Sequence, residues 1–157
     1  MRGYDANKRI RGRKRVVLVD VLGNLLGCEV VEASMPERDA LRVLLAKKGN
    51  EQVEGLKYLL VDSGFKGEDF SNEVWRATNI EMVVVDRSGG WEIAQVGDER
   101  VLGFVPLKWR WIVERTLAWL SRCRRMARDY EHLTVSTRAW MKIGMCHLLL
   151  SRLFPRA

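Results

Sequence analysis

The sequence is poor in the residues that build disulfide frameworks and zinc sites. Its three cysteines, Cys28, Cys123 and Cys146, are odd in number and far apart, and none belongs to a Cys-x-x-Cys pair. This pattern argues against both a disulfide framework and a structural zinc site. The two histidines, His132 and His147, have no partner at metal-ligand or catalytic-triad spacing, so both are interpreted as ordinary side chains.

Long apolar runs are also missing. No apolar segment follows the first residue, and the longest uncharged apolar stretch near the C-terminus, residues 143–151, is far shorter than the roughly 20 residues that cross a bilayer. These absences predict a soluble cytoplasmic protein with no membrane partner.

At 157 residues, 47% of them hydrophobic, the chain is long enough to bury one core and reads as one domain, whole or partial.

Positive charge is concentrated in two segments. Of the 27 Lys and Arg residues, seven lie in residues 1–15 beside Asp5 alone, and seven lie in residues 108–128 beside Glu114 alone. The rest of the chain holds 13 basic and 18 acidic residues and is therefore net acidic. This arrangement favours a nucleic acid partner, because Lys and Arg that neutralise phosphates release condensed counterions. The alternative is a solvated basic face with no ligand.

The hydrophobic pattern predicts a mixed α/β domain. Two β-branched apolar runs, residues 15–20 and 25–32, are separated by a turn-forming segment and predict a hairpin. A helix is expected with Ser34 or Met35 as its N-cap and Pro36 in its first turn. This helix continues through Ala46. A strand over 57–62, a helix over 68–77 and a strand over 80–85 follow. Residues 86–106 are expected to be a connecting loop or small insertion, and two helices over 109–128 and 137–154 end the chain.

Two carboxylates are candidates for chemistry. Asp62 ends an apolar strand, at the edge where open α/β sheets carry their ligands. Glu114 shares one face of the predicted helix over 109–128 with residues that fall within about 60° of it on a helical wheel: Arg110, Ser121, Arg125 and Arg128. The ordinary interpretations are a loop-capping Asp and an ion pair between Arg110 and Glu114. Together the two carboxylates indicate a magnesium site for phosphodiester chemistry.

Such a site usually needs a third carboxylate, and no local candidate is convincing. Asp20 lies beside Gly23-Asn24 and is expected to stabilise the hairpin turn. Asp39 is expected to be an acid in the first turn of a helix. The six tryptophans are interpreted as core residues, although Trp109 or Trp111 could face DNA.

Four segments along the chain carry a family resemblance. They are Arg2-Gly-Tyr-Asp-Ala-Asn-Lys-Arg-Ile-Arg-Gly-Arg-Lys-Arg15, Leu18-Val-Asp-Val-Leu-Gly23, Val61-Asp-Ser-Gly-Phe-Lys-Gly67 and Arg110-Trp-Ile-Val-Glu-Arg-Thr-Leu-Ala-Trp-Leu-Ser-Arg-Cys-Arg-Arg125. In this order they resemble the DDE transposases of bacterial insertion sequence 5 type. The most specific segment is the Arg-x-x-x-Glu-Arg-Thr run with its Cys-Arg-Arg continuation, and the resemblance covers nearly the whole chain.

The resemblance implies a ribonuclease-H-like core, a mixed sheet with flanking helices. Such a core binds two Mg²⁺ through an Asp, Asp, Glu triad and cleaves and transfers DNA strands at transposon ends. Carried over, the second Asp falls on Asp62 and the Glu on Glu114, with Arg110 in a supporting role. DNA contacts are expected from the basic residues Lys8, Arg9, Arg11, Arg13, Lys14, Arg15, Arg115, Arg122, Arg124, Arg125 and Arg128.

The family's first catalytic Asp lies upstream of the Arg-Gly-Tyr-Asp segment at which this sequence begins. The expectation is therefore a basic arm over 1–15 and, over 16–157, a partial catalytic domain that lacks its first strand. With one metal ligand missing, we expect little catalysis from the chain alone. A homo-oligomer or the product of an upstream reading frame could supply the missing part, in a nucleoid-associated protein of the bacterial cytoplasm.

Two other functions are compatible with these residues. One is a non-enzymatic protein that occupies DNA or joins a full-length transposase and so inhibits it, for which the two basic segments suffice. The other is a ribonuclease-H-like nuclease unrelated to transposition, which the transposase-specific segments make less favourable.

Overall fold

The structure is a computed structural model, and it describes residues 2–6, 9–47, 55–85, 94–96, 99–101 and 110–154. The chain divides into two compact units. The first consists of Met1–Gly55 together with Val113–Ala157, and the second of Leu56–Ile112. Within the described ranges, no helix combines the length and the apolar character needed to cross a membrane.

The first unit is built on an antiparallel three-stranded sheet. Its strands are β1 (Gly3–Asp5), β2 (Ile10–Val19) and β3 (Leu25–Glu32), in the order β1-β2-β3. The predicted hairpin is confirmed, but β2 begins five residues earlier than predicted. The reason is tertiary, because pairing with β1 on one side and β3 on the other outweighs the low strand propensity of Lys and Arg.

The helices of the first unit cover both faces of β3. They are α1 (Glu37–Lys47), the part of α3 (Arg110–Ser121) from Val113 onward, α4 (Arg124–Ala127) and α5 (Thr134–Leu153). Residues 27–31 are all buried, whereas a strand with one solvated face alternates between buried and exposed positions. Both α1 and α5 contact β3. One core cluster joins the sheet to the C-terminal helices through Cys28, Val30, Leu120, Met126, Met141 and Met145.

The predicted helix over 109–128 is wrong in its length, since α3 ends at Ser121 and α4 starts at Arg124. The amides of Arg122 and Cys123 donate to carbonyls three residues back, which tightens the end of α3. In one straight helix, Leu120 and Met126 would point about 120° apart. The break lets both enter the same core cluster, so the single polar face that was predicted to include Arg125 and Arg128 does not exist.

The second unit contains a β-α-β segment that matches the prediction. Strand β4 (Tyr58–Asp62) leads through a short 3₁₀ turn (Ser63–Phe65) to α2 (Glu68–Thr78), and β5 (Glu81–Val85) pairs with β4 in parallel. Acids in the first turn of α2 suit the positive end of the helix dipole. Asn79 ends α2 in the left-handed conformation, a usual way to satisfy the last carbonyls.

The mixed α/β class is confirmed, but the strands of the described residues form three separate sheets. Besides β1-β2-β3 and β4-β5, an antiparallel pair is formed by β6 (Ala94–Val96) and β7 (Glu99–Val101). This pair lies within the segment that was predicted to be a loop or small insertion.

Candidate functional site

Helix α3 carries Glu114 on its solvent side. Ile112, Thr116 and Leu120 are buried at four-residue spacing, so one stripe of the helix faces inward. Glu114 lies off this stripe, is exposed and makes no ion pair with the residues that the structure describes. The expected Arg110–Glu114 ion pair lies outside the described residues, because the side chain of Arg110 is not among them.

The turn between β2 and β3 is held by Asp20, as the sequence predicted. One carboxylate oxygen of Asp20 accepts hydrogen bonds from the amides of Leu22, at 2.9 Å, and Asn24, at 2.8 Å. Its other oxygen accepts from the side-chain amide of Asn24, at 2.8 Å. The amide of Gly23 donates to the carbonyl of Asp20, at 3.0 Å. Asp20 is therefore a structural residue that stabilises the turn.

This turn is fastened to α3 by a buried contact. The fully buried hydroxyl of Thr116 donates to the carbonyl of Gly23, at 2.9 Å. Gly23 has a φ of 85°, and a Cβ at its position would lie 2.8 Å from Thr116 Oγ1. Glycine is required here both by the backbone conformation and by the close approach of α3. The contact sets the position of the hairpin turn against the helix that carries Glu114.

Two arginines stack on Trp119 and bind the same turn. The guanidinium carbons of Arg115 and Arg152 lie 4.8 Å and 4.5 Å from the centre of the Trp119 ring. Arg115 donates to the carbonyl of Leu22, at 3.2 Å, and Arg152 donates to Asn24 Oδ1, at 3.0 Å. The cation–π contacts hold both guanidinium groups in place while they remain at the surface.

Asp62 occupies the predicted position at the end of a strand. It is the last residue of β4, in the parallel pair with β5, and its side chain is half-buried. Asp62 Oδ1 accepts hydrogen bonds from the amide of Ser63, at 2.6 Å, and from the Ser63 hydroxyl, at 3.1 Å. The loop-capping interpretation of Asp62 is thus confirmed.

Asp62 belongs to the second unit and Glu114 to the first. Both are carboxylates, the hard oxygen donors that Mg²⁺ prefers, so the donor chemistry fits the expected ion. In the described part of the chain, no three His, Cys, Asp or Glu side chains come together as metal ligands do.

Three of the basic residues near the N-terminus are engaged in contacts within the first unit. Arg13, whose side chain is 6% exposed, donates to Asp129 and, at 2.7 Å, to the carbonyl of His132. Lys14 donates to the carbonyl of Met35, at 2.8 Å, and Arg15 to that of Met126, at 2.9 Å. Successive side chains of a strand point to opposite faces of the sheet. Arg13 and Arg15 therefore contact the segment around α4, and Lys14 contacts the residue Met35 on the other face.

Other basic residues are exposed and make no ion pair with the described residues. They are Arg9, Arg11, Arg122, Arg124 and Arg128. Arg125 is also exposed, but it lies 3.6 Å from Glu131 and 5.5 Å from the centre of the Trp140 ring. Lys8 lies outside the described residues. The structure thus divides the expected DNA contacts into an internal set and a solvent-facing set.

The interpretation of the tryptophans as core residues is wrong for Trp75, while Trp111 is one of the two for which a position facing DNA was also allowed. Trp75 and Trp111 are exposed, whereas Trp119 and Trp140 are half-buried. Trp140 packs at the edge of the core cluster, and Trp119 is stacked by arginines as described above. Trp91 and Trp109 lie outside the described residues.

Sequence reasoning missed Thr116, Gly23 and Arg152 as a group. The only local signal was Gly23 in a turn, because the contacts between these residues join positions far apart in the chain. Tertiary packing alone brings α3 and the end of α5 to the hairpin turn.

The family of this chain is shown by comparison with known proteins. Residues 1–149 match the family described as "Transposase DDE domain". No curated protein and no solved structure matches the sequence. Since the family match spans nearly all of the 157 residues, the chain belongs to the DDE transposase domain family.

Proposed function

We propose that this chain acts in DNA transposition of the insertion sequence 5 type, on a ribonuclease-H-like core. Its reaction would be Mg²⁺-dependent DNA cleavage and strand transfer at the ends of the element. The family match over residues 1–149 carries this proposal. It is supported by the exposed arginines of the α3–α4 junction, which are available for phosphates.

Asp62 and Glu114 are the residues that would hold Mg²⁺. Asp62 ends β4, and Glu114 is exposed on α3 with no ion pair among the described residues. When bound, the metal would supply charge stabilisation at the phosphate and activation of the attacking oxygen. Asp62 also caps its loop through Oδ1, which accepts from the amide and the hydroxyl of Ser63, so its carboxylate is held at the end of the strand.

The DNA contacts are assigned to the solvent-facing arginines. Arg122, Arg124 and Arg128 cluster in sequence around α4 and are exposed, and Arg9 and Arg11 add to this set at the start of β2. Arg13, Lys14 and Arg15 are assigned to the fold, because their side chains are half-buried and also bind acceptors within the first unit. A cation that is both half-buried and held by internal acceptors releases little counterion on binding DNA.

Replacing Arg122, Arg124 and Arg128 together by Gln is expected to weaken duplex binding and its salt dependence. The plot of log K against log salt has a negative slope, and each lost phosphate contact makes it shallower by about 0.9. The magnitude of the slope should therefore decrease by up to about 3 in the triple variant. Fluorescence anisotropy with a labelled duplex over a series of salt concentrations measures both quantities.

The matched control removes the same charge elsewhere. Arg42, Arg76 and Lys142 are exposed and lie on α1, α2 and α5. Their triple Gln variant should keep nearly the wild-type slope. Equal losses in the two variants would show that binding follows net charge and would refute the assignment of a DNA surface to the α3–α4 junction.

Cleavage is tested with DNA that carries the ends of the chain's own element. If the chain cleaves with Mg²⁺, Asp62→Asn and Glu114→Gln are each expected to lower the rate by at least about a hundredfold, since a metal ligand is lost. Asp39→Asn, which removes the carboxylate of the surface ion pair with Arg42 on α1, is the control and should cleave normally. Because two carboxylates alone are expected to support little catalysis, DNA binding without cleavage fits a transposase that needs a further ligand as well as the non-enzymatic inhibitor.

A further inference from the structure

The turn between β2 and β3 exposes two apolar side chains on a backbone that is held by hydrogen bonds. Val21 and Leu22 are 62% and 65% exposed. Three successive amides, those of Leu22, Gly23 and Asn24, donate to Asp20. The apolar pair therefore adds little to the core, while the backbone beneath it is fixed.

The surroundings of this turn indicate a polyanionic partner. The exposed guanidinium groups of Arg115 and Arg152 bind its oxygens and are aligned by Trp119. Asp20, in the turn, has its carboxylate occupied by the amides of the turn. Glu114, the proposed metal ligand, precedes Arg115 in α3. The turn thus presents apolar side chains flanked by cations.

We propose that Val21 and Leu22 form an apolar wedge that contacts the bases or sugars of duplex DNA, with Arg115 and Arg152 facing the adjacent phosphates. This proposal rests on the proposed function, and it assigns a second DNA contact beside Glu114. Proteins that deform DNA insert apolar side chains between base steps and recover the unstacking cost through added contacts. A turn fastened by Thr116 and by two arginines loses little conformational freedom when it does so.

The test uses the full chain and a labelled duplex with central TA steps, which unstack readily. The variant Val21→Ala/Leu22→Ala is expected to bind about tenfold more weakly with an unchanged salt slope, because an apolar contact releases no counterions. The fluorescence of a 2-aminopurine placed at the TA steps should increase when the wild-type chain binds, because the base unstacks, and should stay low with the variant. The pair Val21→Thr/Leu22→Gln, which keeps side-chain size, should behave in the same way.

The control is Val135→Ala/Leu133→Ala, which removes the same side-chain types from sites of similar exposure, 59% and 65%. It should bind as the wild type does. If the turn variants bind like the wild type while the Arg122, Arg124 and Arg128 variant does not, the wedge is refuted and the proposed function stands. If the wild-type chain does not bind DNA, both fail. A loss of self-association with unchanged DNA affinity would assign the turn to a second copy of the chain and overturn the wedge.

Discussion

Gly23→Ala is expected to destabilise the first unit by about 3 kcal/mol, with left-handed backbone strain of roughly 1–2 kcal/mol and overpacking of similar size. The φ of Gly23 is 85°. A Cβ there would lie 2.8 Å from Thr116 Oγ1 and 3.0 Å from Cζ3 of the Trp119 ring. Either the turn must leave α3 or the two side chains must shift. Thermal unfolding followed by circular dichroism should show a Tm lower by about 6–12 °C.

Gly12→Ala is the matched control. Gly12 lies in β2, and nothing would lie within 4 Å of a Cβ added there. Because glycine weakens a strand interior, this variant should be neutral or slightly stabilising. If Gly23→Ala were as stable as Gly12→Ala, the close approach of the turn to α3 would be refuted.

Thr116→Val probes the same contact between the turn and α3. It should lower the free energy of unfolding by about 1–3 kcal/mol, because it leaves the buried carbonyl of Gly23 without its donor. Thr116→Ser keeps the hydroxyl and should retain most of the stability.

Arg138→Met is expected to lower the free energy of unfolding by about 3 kcal/mol, because it removes one partner of a largely buried ion pair. Arg138 on α5 donates to Glu29 on β3, at 2.6 Å, and the two side chains are 26% and 6% exposed. The ion pair joins α5 to β3, the strand whose two faces are both covered by helices. Urea unfolding measures the loss.

The double variant Glu29→Leu/Arg138→Met should recover most of that stability, since well-packed apolar residues often replace a buried ion pair at little cost. Arg42→Met is the control, because the Arg42–Asp39 pair is 44% and 48% exposed and such pairs contribute less than about 1 kcal/mol. A small effect of Arg138→Met, equal to that of Arg42→Met, would mean that the β3–α5 ion pair contributes nothing specific. A coupling energy near zero in the double-mutant cycle would lead to the same conclusion.

The local elements were largely predictable from the sequence. The hairpin, α1, β4, α2, β5 and α5 follow from apolar periodicity and from turn and cap residues, because these signals act over a few neighbouring positions. Asp20 and Asp39 were assigned correctly for the same reason. The early start of β2 and the break before α4 were not predictable, since both depend on partners distant in the chain.

The candidate site divides in the same way. Sequence motifs alone indicated the DDE family, now shown over residues 1–149, and they nominated Asp62 and Glu114 as ligands, which remains a proposal. They also nominated eleven basic residues as DNA contacts, since a string of Lys and Arg carries the same charge wherever the side chains point. The structure shows that Arg13, Lys14 and Arg15 bind internal acceptors, while Arg122, Arg124 and Arg128 face solvent.

The sequence by itself therefore determined the family, the mixed α/β class and the concentration of positive charge, because all three are carried by residue types at short spacing. Only the tertiary structure decided which arginines are available to a ligand and which hold the fold. It also decided that the turn at Gly23 is fastened to the helix of Glu114 through Thr116. The physical reason is that hydrogen bonds and burial between residues some 90 positions apart leave no periodic signal in the chain.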